Sequence, residues 1–214
     1  MSKLVVQLAE AAAQRREQGP AIVAIDGFGC CGKSTLAQAL AQHLDGLVLE
    51  TDDFQQPEGG RIEPSSPLSY RRWTALQDTV TALVNRRPAR YAPIDWDTHR
   101  LSAEVEVAPK ASLIIDGIGA HALALPTHAL RVFVDGRAES RMQRVAARDG
   151  AQFADWDRYV AVELTYFRRF TPWRTADVFV LGAELTFANT CEGFARRLEA
   201  MAADLPARLD RPCA

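Results

Sequence analysis

Apolar positions along the chain follow two rhythms. Short continuous runs at Ala21–Ile25, Leu47–Glu50, Ala111–Ile115, Leu130–Val134 and Asp177–Leu181 have the length and β-branched content of strands covered on both faces. Between them apolar residues recur at spacings of three and four. Leu4, Val5, Leu8, Ala11 and Ala12 predict a first helix that Gly19-Pro20 stops, and Leu36–Leu44 predicts a second. Trp73, Leu76, Val80, Leu83 and Val84 form the apolar stripe of a third, with Ser69 as its N-cap and Asn85–Pro88 as its end. Further helices are expected at about 137–149, 153–169 and 189–203. Gln55–Pro67 reads as a long loop, and Tyr91–Leu101 as an irregular stretch dense in polar and aromatic groups. Alternating strands and helices imply an α/β fold, a mainly parallel five-stranded sheet between two helical layers. In such sheets ligands gather outside the carboxyl ends of the strands. At 214 residues the chain suits one domain, 1–214, and is short for two.

Composition narrows the partners. With 25 basic and 27 acidic residues the net charge is −2, so there is no electrostatic footprint for nucleic acid, and a phosphate-bearing ligand must be met by local basic groups. Cys30, Cys31, Cys191 and Cys213 form no C-x-x-C pair, which reads as a reducing cytoplasm. Residues 1 to 18 include Gln7 and Glu10 and lack a signal-peptide core, and no apolar run is of membrane-spanning length. The expectation is a soluble cytoplasmic protein with a small-molecule partner, no nucleic acid and no membrane, with self-association left open. His43, His121 and His128 have no ligand spacing with the cysteines, so no structural zinc is expected.

One stretch carries specific chemistry. Gly27-Phe28-Gly29-Cys30-Cys31-Gly32-Lys33-Ser34-Thr35 satisfies G-x-x-x-x-G-K-[S/T] at every constrained position, between a predicted strand and a predicted helix. Glycines let the backbone curl with its N–H groups inward, Lys33 can reach the β- and γ-phosphates, and the Ser34 hydroxyl can hold Mg²⁺. The helix N-terminus adds a positive dipole end. Cys30 and Cys31 share that field with Lys33, which favours a reactive thiolate; the alternative is that they are small residues tolerated in a tight loop.

Three further groups stand out. Asp52 and Asp53 follow the second strand, where a carboxylate could take a proton from an attacking hydroxyl or coordinate Mg²⁺, and Asp116 ends the third strand as a second metal candidate. Each could instead be a turn aspartate. Arg137, Arg141, Arg144 and Arg148 lie within about a sixth of a helix circumference, with neither Glu139 nor Asp149 on the stripe, and such a face wants an external anion. Asp95-Trp96-Asp97-Thr98-His99-Arg100 gathers a carboxylate, an aromatic plane and an imidazole, able to hold a sugar and base or to knit its own loop.

With these residues assembled, the chain resembles the P-loop kinases of the uridine kinase, nicotinamide riboside kinase and phosphoribulokinase group over about residues 20 to 182. The discriminating matches are Asp52-Asp53-Phe54, Ile115-Asp116-Gly117, the segment ending Arg148-Asp149, and Ala176-Asp177-Val178. The resemblance implies a P-loop NTPase-type three-layer sandwich with an Arg-rich lid at about 137–152, binding ATP and Mg²⁺. It implies Asp52 as the base, Lys33, Arg144 and Arg148 at the transferring phosphoryl group, and Ser34 and Asp116 at the metal. Gly27, Gly29, Cys30, Cys31, Gly32, Thr35 and Arg141 would surround the nucleotide. Asp53, Asp95, Trp96 and His99 would contact the acceptor, a nucleoside or sugar-like alcohol. Ile94 stands where the group has a tyrosine, Asp116 where glutamate is usual, and Cys30-Cys31 where smaller residues are common. Two alternatives remain at this level. One is a nucleoside monophosphate kinase, for which Arg61, Arg71, Arg72 or Arg100 could serve the acceptor phosphate, and the other is a catalytically inactive nucleotide-binding module.

Overall fold

The computed structural model describes residues 3–16, 19–57, 66–136, 138–149, 156–181, 184–186 and 190–209. In chain order the elements are α1 (Lys3–Gln14), β1 (Ala21–Gly27), α2 (Lys33–Leu44), β2 (Gly46–Glu50), α3 (Trp73–Val84), β3 (Ala89–Tyr91), β4 (Ile94–Asp95), β5 (Arg100–Leu101), β6 (Val105–Val107), β7 (Ser112–Asp116), β8 (Leu130–Asp135), α4 (Ala138–Asp149), α5 (Trp156–Phe170), β9 (Val178–Leu181), β10 (Glu184–Thr186) and α6 (Thr190–Leu209). The main sheet has the order β10-β9-β8-β1-β7-β2, with β9, β8, β1, β7 and β2 parallel and β10 antiparallel at the edge. The five expected strands are therefore the parallel ones, and β10 is an addition.

Period-two alternation shows why β1 is central. Val23 and Ile25 face one core, with Leu8, Leu40, Phe133, Phe167 and Phe194, while Ile22 and Ala24 face a second, with Leu49, Leu76, Val80 and Ile115. Burying each such large apolar side chain contributes about 1.5–3 kcal/mol, so both helical layers are held by the strand they sandwich. Among the described residues no helix is long and apolar enough to cross a membrane.

Two local expectations change. Helix α3 starts at Trp73 with Arg72 at its cap position, whereas the Ser69 hydroxyl donates to the Ser66 carbonyl at 2.7 Å in the preceding turn. The Arg72 N–H is already bonded to the Phe54 carbonyl at 2.6 Å, so helical pairing begins only after that anchor. Tyr91–Leu101 is not irregular: β3 pairs with β6 and β4 with β5 in two antiparallel ladders of two or three residues.

Candidate active site

The loop after β1 is fixed from beneath. Gly27 has φ +139°, and a Cβ there would lie 1.9 Å from the Val134 carbonyl oxygen, so only glycine lets β1 lie this close to β8 as it turns. Phe28 is driven into an aromatic core, its ring 4.4 Å from Phe167 and 5.8 Å from Phe194. Asp26, wholly buried, accepts from the N–H groups of Gly27, Gly119 and His121 and from the Tyr166 hydroxyl at 2.6 Å, tying the base of the loop to the turn after β7 and to α5. Cys30 and Gly32 take left-handed conformations, and Lys33 opens α2 with its Nζ donating to the Phe28 carbonyl at 2.8 Å. Ser34 and Thr35 follow on the exposed side of the first turn of α2.

Beside this loop the sheet edge is acidic. Glu50 ends β2 opposite Asp116 at the end of β7. The left-handed Gly117, where a Cβ would meet Thr51 Oγ1 at 2.0 Å, packs the following turn against Thr51–Phe54. Burial pushes the Asp116 carboxyl above its ordinary range, against the Lys33 cation and a hydrogen bond from Ser34. Its Oδ1 is buried and has no partner among the described residues. Glu50 is raised as well, by burial first and then by Asp53, Asp116 and Asp52. Ser34, an orphaned carboxylate oxygen and surrounding negative charge fit a hard divalent cation. No group of three or more His, Cys, Asp or Glu side chains forms a cage among the described residues. Mg²⁺ needs none, since it uses one or two protein ligands and takes the rest from phosphate and water.

Asp52 and Asp53 diverge on one 3₁₀ turn, Thr51–Phe54. Asp52 is mostly exposed and accepts from Arg71 Nη2 at 2.5 Å. Asp53 turns toward Tyr91, whose hydroxyl donates to it at 3.1 Å, and burial raises its carboxyl despite that bond. Arg71 is only 4% exposed, and its Nε and Nη1 have no hydrogen-bond partner among the described residues. Each buried N–H left so costs about 1–3 kcal/mol.

The arginine stripe behaves differently from its linear pattern. Arg141 is turned inward: its Nη2 meets Glu163 at 2.6 Å, its Nε donates to the Gly29 carbonyl at 2.9 Å, and its guanidinium lies 4.1 Å over the Phe28 ring. Glu163 in turn accepts the Gly29 N–H at 2.5 Å. One carboxylate oxygen and the guanidinium Nε thus clasp Gly29 by its N–H and its carbonyl, while the second carboxylate oxygen ties Glu163 to Arg141, the two side chains being 1% and 2% exposed. The anion expected outside the protein is, for Arg141, a glutamate within it. Arg144 remains exposed and donates from Nη1 to the Cys30 carbonyl at 2.9 Å. Arg137 and the Arg148 side chain lie outside the described residues, as do Arg61, Cys213 and the Cys191 side chain.

At Cys31 burial pushes the thiol up to about 12, against the lowering pull of Lys33 and Arg141, which disfavours the thiolate expected from its neighbours. Cys30 is half-buried. In the β4–β5 hairpin Asp95 Oδ1 accepts the N–H groups of Asp97 and Thr98 at 2.9 and 3.0 Å, so this carboxylate shapes its own turn. Trp96 and His99 stand exposed on that turn, His99 at φ +52°. The hairpin lies against the turn bearing Asp52, where Arg72 Nη2 links the Asp53 and Ala92 carbonyls and Tyr91 stacks on Phe54 at 4.6 Å. Behind the loop, a cavity of about 510 Å³ is lined by Phe28, Asp135, Arg141, Leu181, Phe194 and Arg197.

Sequence reading passed over Glu163, Asp26 and Tyr166. Tyr159, Glu163 and Tyr166, spaced four and three on α5, make a polar stripe beside the apolar Val160, Leu164 and Phe167, and that stripe was the available signal.

No protein-family model matches the chain. It is 27% identical over 145 residues to a uridine kinase of Latilactobacillus sakei subsp. sakei (strain 23K), across 63% of this chain and 69% of that one. It is 33% identical over 144 residues to a tRNA dimethylallyltransferase of Rhodopseudomonas palustris (strain ATCC BAA-98 / CGA009), but spans only 44% of that relative. In structure it is similar to a possible uridine kinase from Bacillus stearothermophilus, with a TM-score of 0.60 over 82% of this chain and 96% of the other at 19% identity, a likeness of fold. The chain has an α/β fold like that of P-loop kinase structures, and in sequence it is similar to uridine kinases.

Proposed function

We propose that the protein is an ATP-dependent kinase that transfers the γ-phosphoryl group to a hydroxyl of a nucleoside or sugar-like small molecule. The observation that carries this reading is the placement of Asp52 on the same sheet edge as Lys33, Ser34 and Asp116, so near that its charge acts on the Asp116 carboxyl. A carboxylate beside a phosphate cradle is what activating an alcohol requires.

In this reading the amides of Cys30 to Ser34 and the Lys33 ammonium hold the phosphates. Ser34 and Asp116 would hold Mg²⁺, which when bound would offset negative charge on the phosphates. Asp52 accepts the acceptor's hydroxyl proton as that oxygen bonds to the γ-phosphorus, the bond to the β–γ bridging oxygen breaks, and ADP leaves. Arg144, already on the loop, and Arg148 neutralise the transferring group. The cavity beside Phe28 and Arg141 is large enough for the rest of the nucleotide, and the hairpin bearing Asp95, Trp96 and His99 flanks the acceptor.

A coupled ADP-release assay over nucleosides, sugars, hydroxy acids and nucleoside monophosphates tests the proposal. At least one alcohol should stimulate ADP release above the background with water, and Lys33→Ala should abolish both nucleotide binding and turnover. If calorimetry gives the same ATP affinity for Lys33→Ala as for the wild type, the cradle assignment is wrong.

A further inference from the structure

Two adjacent arginines follow the 66–70 turn, and they are used differently. Arg72 spends its guanidinium on backbone carbonyls: Nε on Gln55, and Nη2 on Asp53 and Ala92. Arg71 is the more deeply buried, yet only its Nη2 is engaged, by Asp52 Oδ1 at 2.5 Å and the Tyr70 hydroxyl at 3.2 Å. Its Nε and Nη1, the donors on either side of that one, have no acceptor among the described residues.

The position is built rather than incidental. Arg71 faces Gln55 across an antiparallel bridge, the Gln56 N–H donates to the Tyr70 carbonyl at 2.7 Å, and the Arg72 N–H to the Phe54 carbonyl at 2.6 Å. These bonds fix the Arg71 backbone to the turn that carries Asp52. The Tyr70 ring, 4.9 Å from the Arg71 carbon, holds the plane of the guanidinium.

We propose that Arg71 is an anion-recognition residue of the acceptor site, so that the alcohol phosphorylated here also carries a carboxylate or a phosphate monoester. This deepens the kinase reading above and rests on it. A buried guanidinium with unpartnered donors on both flanks favours a planar or tetrahedral oxyanion over a neutral hydroxyl, because each bond is charge-assisted. It also explains how a base can work while paired with an arginine. An acceptor anion that takes up part of the Arg71 charge loosens the Asp52 contact as the hydroxyl arrives, so the base is released only when the right substrate is bound.

The test fills the loop first, with saturating Mg²⁺ and a non-hydrolysable ATP analogue, and then titrates matched probes by calorimetry: glycerate against glycerol, and ribose 5-phosphate against ribose. The anionic member of at least one pair should bind about 10-fold or more tightly than its neutral counterpart, and the pair with the larger difference tells carboxylate from phosphate. Arg71→Met should erase the difference and Arg71→Lys should keep part of it. Should Arg71→Met fail to fold, the Nε–H resonance of Arg71 in ¹⁵N-labelled wild type, identified by its loss in Arg71→Lys, should move with the anionic probe and stay put with the neutral one. Equal affinity within both pairs, no binding of either anion, a preference that survives Arg71→Met, or an unmoved resonance would overturn the proposal. Failure of the kinase reading would show separately, as no binding of the ATP analogue before any acceptor is added.

Discussion

Replacing Glu163 by glutamine should be among the most damaging single changes in the protein, although the residue touches no expected ligand. Its two oxygens accept the Gly29 N–H at 2.5 Å and Arg141 Nη2 at 2.6 Å, inside a region where both side chains are 1–2% exposed. Glutamine keeps the shape, removes the charge and presents an N–H₂ to either the guanidinium or the amide, where an acceptor is needed. The Arg141 cation is then buried without its counter-charge, for which about 3–5 kcal/mol is expected. At this chain length that corresponds to a fall of about 6 to 20 °C in Tm. Thermal and urea unfolding followed by circular dichroism would measure it. A double-mutant cycle with Arg141→Met should show strong coupling, because removing both charges leaves neither stranded, so the double variant should regain part of the loss. A loss under about 1 kcal/mol, the range of exposed ion pairs, or additive effects in the cycle would refute the view that a buried clasp holds the loop.

Asp52→Asn should bind ATP as the wild type does while phosphoryl transfer falls about 10²-fold or more, measured by calorimetry and coupled assay; if Asp53→Asn carries the loss instead, the base is the next residue. Burial holds the Asp116 and Glu50 carboxyls above their ordinary 3.8 and 4.5, so the folded protein keeps protons that the unfolded chain has released. That contribution is complete below the ordinary values and is lost as pH rises through the raised ones. Wild type should therefore lose stability relative to Asp116→Asn as pH rises above the ordinary carboxyl range, and Mg-ATP should raise the wild-type Tm more as it does so; a pH-independent difference in denaturant midpoints would contradict it. On timed iodoacetamide labelling read by peptide mass spectrometry, Cys31 in the folded protein should stay unmodified while the half-buried Cys30 labels, and Mg-ATP should slow Cys30; rapid labelling of Cys31 would show that the field of the helix end outweighs its burial.

The layout of the sheet was legible because each central strand is apolar on both faces, a pattern that few other settings produce. What escaped were elements too short to have a period. Strands β4 and β5 have two residues each and β3, β6 and β10 three, so no alternation can be read in them. Ser69 was a sound N-cap by type, but the backbone bond of Arg72 to Phe54 decided where the helix starts. At Cys31 the thiolate-favouring neighbours were correctly seen, whereas its burial, with Gly136 packed close to its sulfur, depends on a chain segment a hundred residues away.

Charge was harder to read than apolarity, because the partner of a buried charge is set by the fold and not by spacing. The four-arginine stripe looked unsatisfied on its own helix, yet Arg141 finds its carboxylate on α5, 22 residues on. Asp26 and Asp135 are likewise paired, with Tyr166 and three N–H groups in one case and with Arg197 in the other. These groups are satisfied within the fold, and Arg141 and Asp26 fix the loop. The contrast is with the atoms that the fold buries and leaves unpartnered. Among the described residues these are Asp116 Oδ1, Arg71 Nε and Arg71 Nη1, and both residues act on Asp52, one through a hydrogen bond and one through charge. A folded chain rarely strands a buried polar atom without cause. Here an unpartnered carboxyl oxygen and two unpartnered guanidinium nitrogens flank the carboxylate that the kinase reading uses as its base, and that is the arrangement wanted by a metal-bound phosphate on one side and an anionic alcohol on the other.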